Sequence, residues 1–184
     1  LHTLMKLYDK LPNYILLVLY IITGSLTNFK AIDILAPQWI YLGSVNILSC
    51  LYFLFYNRLK VQLGLSMLLK SLFFYVYLFY FIWSGLSYFY AINPTETLLN
   101  IPRLGNTFFA IIFCFLLLNS IDNKVVVISR IFIGFLCFEL FAFYSDLLDQ
   151  LNSNLFNAIN LKGVAGNKNI TAASIAFKIP FVLY

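Results

Sequence analysis

Apolar residues run along this chain in long blocks separated by short polar breaks. A membrane-spanning helix needs roughly 20 mostly apolar residues, and six blocks meet or approach that length. They are about Tyr14–Leu26, Trp39–Tyr56, Ser71–Ala91, Leu104–Asn119, Val125–Ser145, and a run that starts near Thr171 and reaches Tyr184. The first is short unless it extends through the Pro12 side or into Ile32–Leu35. In lipid the backbone must satisfy its own hydrogen bonds, so each block is expected to be helical. Strands of a membrane barrel alternate polar and apolar residues, and runs such as Ala110–Leu118 do not. The pattern predicts an all-α, polytopic bundle of about six transmembrane helices forming a single domain over residues 1–184. Leu1 stands first instead of Met, and Tyr184 interrupts an apolar run, so both ends read as cuts in a longer membrane protein.

Composition agrees with a lipid solvent. The chain is 62% hydrophobic and 10% charged, where soluble domains carry about 25% charged residues. Its mean hydropathy is +0.88. Phe (20) and Tyr (13) suit a lipid-facing surface and its two interfaces. The net charge of +5 comes from Lys and Arg placed singly, with no basic cluster, which signals topology and not nucleic acid. Lys6, Lys10, Arg58, Lys60, Lys70, Lys124 and Arg130 fall on one side, against Lys30, Arg103, Lys162 and Lys168 on the other. The excess predicts a cytoplasmic N-terminus, with Asn28–Gln38, Ile92–Arg103 and Asp146–Ile170 facing outward. Asn57–Lys70 is expected to be an interfacial helix or an early start of the third span, and Leu147, Leu151 and Leu155 suggest an amphipathic helix on the outer surface.

Chemistry-bearing residues are few. Cys50, Cys114 and Cys137 sit in apolar runs without metal-ligand spacing, and His2 is the one histidine, so neither metal nor cofactor is expected. Gly163–Asn169 is the most unusual outward segment. It reads either as a flexible turn feeding an N-cap at Asn169 or Thr171, or as a phosphate site. In the second reading a helix N-terminus and Lys168 supply positive charge, while Asn167 and Asn169 bond phosphate or sugar hydroxyls. Asn169-Ile170-Thr171 matches a glycosylation sequon that carries little weight at a membrane edge. Glu96 reads as the solvated cap of a short helix. Glu139 and Lys178 lie inside the fifth and sixth expected spans, where lone charges are costly. Counted from Ser145 and Thr171, they sit roughly 9 and 10 Å below the outer surface, so a buried ion pair is expected. Ala172, Ala173 and Ala176 would permit the close approach. The rival is that Lys178 faces a polar cavity.

Two runs carry a resemblance. One is Trp83-Ser84-Gly85-Leu86-Ser87, continuing to Ala91-Ile92-Asn93-Pro94-Thr95-Glu96. The other is Gly163-Val164-Ala165-Gly166-Asn167-Lys168-Asn169, followed by Thr171-Ala172-Ala173-Ser174 and then Ile179-Pro180. Together, over residues 70–184, they resemble the O-antigen ligase family of bacterial ligases, polysaccharide polymerases and protein O-oligosaccharyltransferases. The resemblance implies an inner-membrane enzyme that moves a glycan from a polyprenyl pyrophosphate carrier to an acceptor at the periplasmic face. Its partners would be membrane lipid and the carrier-linked glycan. Arg103, after Pro102 at the outer mouth of the fourth span, reads as an interfacial anchor or, under the resemblance, as a fork-shaped donor that clamps the carrier's pyrophosphate as Lys168 does. The family's catalytic Arg and His lie in a large periplasmic loop that nothing in this chain matches, so no catalytic residue is carried over. A transporter or flippase core is the alternative, since such proteins also hold intramembrane charges and Gly/Pro-broken helices. A non-catalytic assembly protein is a third.

Overall fold

A computed structural model describes residues 2–26, 36–56, 58–152 and 168–183. The described residues form seven α-helices: α1 (His2–Ile22), α2 (Ala36–Tyr56), α3 (Arg58–Leu69), α4 (Leu72–Leu86), α5 (Pro94–Asn119), α6 (Lys124–Asn152) and α7 (Lys168–Val182). Short 3-10 turns follow α1 and α4, at Thr23–Ser25 and Ser87–Phe89. No strand occurs among the described residues, as a backbone without water to bond it requires.

Four helical stretches are long and apolar enough to cross a membrane: Ala36–Phe55, Leu72–Phe89, Pro94–Asn119 and Lys124–Asn152. The other two expected spans correspond to the shorter apolar stretches Leu11–Ile22 and Thr171–Val182. Twelve residues rise only about 18 Å, short of the roughly 30 Å hydrocarbon core.

The surface is inverted relative to a soluble protein. α4 buries no residue, and Phe73, Val76, Phe79, Ile82 and Trp83 on it are all exposed. A soluble monomer rarely shows so large a continuous apolar face, whereas lipid covers it without penalty.

The chain divides into two compact units. One comprises Leu1–Tyr20 and Trp39–Asp122, the other Ile21–Gln38 and Asn123–Tyr184. In the first, Leu16 and Tyr20 of α1, Leu42, Val45 and Phe53 of α2, and Leu116 and Leu117 of α5 form the core. With Ser49, which is also buried, the positions on α2 (42, 45, 49 and 53) recur every three or four residues, the period of one helix face. α4 joins through Phe108 of α5, whose ring lies 5.7, 5.6 and 5.7 Å from those of Phe74, Tyr77 and Phe81. α3 is a separate helix, divided from α4 at Lys70 and Ser71, and Ser71 is extended. It packs on α5 at Gly64, where a Cβ would stand 2.5 Å from Leu116 Cδ2. In the second unit α6 packs against α7.

Two boundaries differ from the sequence reading. The fourth expected span starts earlier than Leu104, because α5 begins at Pro94. Asn93 Oδ1 accepts from the Glu96 backbone N–H at 3.4 Å, and Asn93 Nδ2 donates to Glu96 Oε2 at 3.5 Å. That reciprocal cap, with proline next to it at the first helical position, starts a helix ten residues before the hydrophobic run. Glu96 therefore caps a long helix, not a short one. Similarly, α6 continues through Asn152, so Leu147 and Leu151 extend a spanning helix and do not begin a separate one. Leu155 lies outside the described residues.

Candidate functional site

The second unit contains a closed polar ring inside apolar helices. Lys178 Nζ lies 2.7 Å from Glu139 Oε1. Ser174 Oγ donates to the same oxygen at 2.9 Å and accepts from Lys178 Nζ at 2.6 Å. Glu139 is 4% exposed and Lys178 7%. The helical period explains the arrangement: Thr171, Ser174 and Lys178 are spaced three and four apart and share one face of α7, and Thr171 and Lys178 are buried on it. Ala172, Ala173 and Ala176 are exposed, so they do not form the contact with α6 expected of them. The small residue on the facing stripe is Ser174. Further along, Phe132 of α6 meets Phe181 of α7 edge-on at 4.7 Å, which fixes the two helices as antiparallel neighbours.

The ring is not saturated. Glu139 Oε2 is buried without a hydrogen-bond partner, and so is Ser129 Oγ, on the same helix. A carboxylate oxygen left open in a low-dielectric setting is a strong acceptor for a donor group. Pro180, inside α7, removes one backbone donor a half-turn beyond Lys178 and weakens the helix there.

The first unit holds a second polar network, which sequence reading missed. Tyr20 Oη donates to Asn46 Oδ1 at 2.8 Å and lies 3.0 Å from Ser49 Oγ. Asn46 Nδ2 donates to Asn106 Oδ1 at 2.5 Å and to the Asn106 carbonyl at 2.9 Å. Asn106 Nδ2 donates in turn to the Trp39 carbonyl at 3.0 Å. Three helices, α1, α2 and α5, are thus tied by amides and a phenol. The available signal was the spacing of Asn46 and Ser49, three apart within an otherwise apolar block. Asn13, directly after Pro12 and about three turns into α1, is 0% exposed with neither amide atom partnered.

Arg103 lies within α5, not at its mouth, and its Nη1 donates to Asn100 Oδ1 at 3.5 Å. It stands nine residues after Pro94, about 13 Å along the helix. Lys168 is the first residue of α7 and Asn169 is exposed beside it, so the helix starts earlier than a cap at Asn169 or Thr171 would give. Gly163–Asn167 lies outside the described residues. Arg103 belongs to the first unit, and Lys168 and Asn169 to the second. No protein-family model, no curated protein and no solved structure matches this chain.

Proposed function

We propose that this chain belongs to a multi-pass protein of the bacterial inner membrane, of O-antigen ligase type, with its N-terminus in the cytoplasm. It would transfer a glycan from a polyprenyl pyrophosphate carrier to an acceptor on the periplasmic face. The observation supporting the reading is where the two resembling runs fall. The first ends α4 and, through Asn93 and Glu96, starts α5; the second leads into α7. Both runs are therefore tied to helix ends, where a membrane enzyme meets the headgroup region. In this reading Asn167, Lys168 and Asn169 contact the carrier-linked glycan, and Arg103 is tested as a separate contact. The test is glycan transfer by the full-length protein. Arg103→Ala and Lys168→Ala should each reduce transfer at unchanged protein abundance. Normal transfer by the double variant removes the proposed clamp.

A transporter or flippase core is the second reading, favoured by the Glu139–Ser174–Lys178 ring with its open carboxylate oxygen. Intramembrane ionisable groups commonly mark substrate or proton paths. Proteoliposomes loaded with a fluorescent lipid-linked oligosaccharide separate the two. Covalent transfer to an added acceptor supports the enzyme. Movement of the intact lipid across the bilayer, lost in Glu139→Gln, supports the transporter.

A further inference from the structure

α2, α4 and α5 each belong to a stretch long and apolar enough to cross a membrane, and their contacts fix where α3 sits among them. Gly43 and Phe53 of α2 lie beside Asn106 and Phe113 of α5, so these two helices run side by side in the same direction. Tyr56, the last residue of α2, is therefore about level with Leu116. α4 runs the other way: Phe81 packs on Gly105, and Tyr77 and Phe74 on Phe108. It starts at the end of the bundle where α2 stops, and α3 joins the two.

Had α3 continued along α2, Gly64 would stand eight residues, about 12 Å, beyond Tyr56. A Cβ on Gly64 instead meets Leu116 and lies 3.9 Å from Asn119 Nδ2. The same nitrogen is 3.6 Å from Met67 Sδ. Asn119 is the last residue of α5. α3 therefore leaves the axis of α2 and crosses the end of the bundle, going no farther than the last turn of α5.

The side chains of α3 sort into rows four residues apart, each on its own side of the helix. Gly64 and Leu68 are buried, and Val61 and Leu65 beside them are half-buried. Leu63 and Met67 form the next row; although apolar, they are 66% and 55% exposed. Gln62, Ser66 and Lys70, the residue after the helix, form an exposed polar row on the side away from Gly64 and Leu68. Exposed Leu69 borders that row on its other edge. Water alone would leave Leu63 and Met67 uncovered, and hydrocarbon alone would desolvate Gln62 and Lys70. Only a boundary between the two suits both rows. The exposed apolar surface of the spanning helices reaches α3 from both sides, through Leu54 and Phe55 of α2 and Leu72 and Phe73 of α4.

We propose that α3 lies in the plane of the membrane surface, with Leu63 and Met67 dipping into the lipid and Gln62, Ser66 and Lys70 in water. The partner of its exposed apolar row is a lipid surface. The proposal does not depend on the glycan-transfer reading, nor on which side of the membrane this end of the bundle faces.

Nitroxide labels test it. Single cysteines are placed in the full chain after Cys50, Cys114 and Cys137 are replaced, and the protein is reconstituted in phosphatidylcholine vesicles. Collision rates are measured with oxygen, which concentrates in lipid, and with a nickel chelate present on both sides, which stays in water. Labels at Leu63→Cys and Met67→Cys should favour oxygen at a depth of about 5–10 Å, as for an interfacial helix. Labels at Gln62→Cys and Ser66→Cys should favour nickel. Phe79→Cys on α4, seven positions past Leu72, should lie about 10 Å farther in than the start of that helix and give the deep reference. If the label at Leu63 disturbs folding, Met67 on the same row reads the same depth. Preference for nickel at all four α3 positions places the helix in water and overturns the proposal. Preference for oxygen at all four makes α3 part of a span and overturns it equally. Labels at Leu63 and Met67 that neither reagent reaches show the row covered by protein, a second copy or another chain, in place of lipid.

Discussion

Gly43 of α2 and Asn106 of α5 fit against each other: a Cβ on Gly43 would stand 3.3 Å from Asn106 Nδ2. The absent side chain makes room for an amide that bridges Asn46 and the Trp39 carbonyl. In lipid, helices gain nothing from excluding water between them, so close packing and interhelical hydrogen bonds hold them.

The amide network should therefore be measurable as stability. Asn46→Leu removes the acceptor of Tyr20 and the donor to Asn106, and should destabilise the protein by about 1–2 kcal/mol in detergent unfolding. Tyr20→Phe removes one of these bonds and should cost about 0.5 kcal/mol. If Asn46→Leu unfolds at the wild-type denaturant concentration, the network has no stabilising role.

Gly64 and Gly134 should respond oppositely to alanine. Nothing lies within 4 Å of a Cβ at Gly134, so Gly134→Ala should stabilise α6 through helix propensity, by up to about 1 kcal/mol. At Gly64 the new methyl meets Leu116, which is buried, and overpacking of that kind costs about 1–3 kcal/mol. Melting temperatures of the two variants in the same detergent decide the matter; a rise in both would show that Leu116 moves aside freely.

The Glu139–Lys178 pair predicts a thermodynamic cycle. Lys178→Met leaves a buried carboxylate alone and should destabilise by about 3 kcal/mol. Adding Glu139→Leu should restore most of that loss, since paired charges in a low-dielectric interior add little net stability. Ser174→Ala, which keeps both charges, should cost about 1 kcal/mol. A double variant no more stable than Lys178→Met would contradict the pairing.

Orientation is open to labelling in a cysteine-free background, with Cys50, Cys114 and Cys137 replaced. An impermeant maleimide added from the periplasmic side should modify Asn100→Cys and Asn154→Cys but not Asn57→Cys. Modification of Asn57→Cys alone reverses the proposed orientation.

The hydrophobic blocks made the helices legible, because a run of apolar residues in lipid has few alternatives to an α-helix. The ion pair was legible for a related reason: in such a run a charge is conspicuous, and helical rise sets its depth. Asn46 and Asn106 were harder to see, since one amide in an apolar block is affordable alone and its partner lies 60 residues away. The start of α5 was hidden by hydropathy itself. Pro102 and Arg103 looked like a boundary, whereas the true start is a local capping exchange between Asn93 and Glu96. Arg103 was consequently expected at the mouth of the helix, although it stands inside it.

The bareness of α4 has an evolutionary consequence. Its outward positions, such as Phe73, Val76 and Phe79, are exposed, and a lipid surround distinguishes poorly among leucine, phenylalanine and valine. Substitutions there can accumulate at nearly neutral fitness so long as the helix stays oily. Phe74, Tyr77 and Phe81 are constrained instead by the ring of Phe108. Over time the helix would keep a narrow, slowly changing seam while the rest of its surface drifts, so that ancestry in this segment is recorded by a few inward-facing residues.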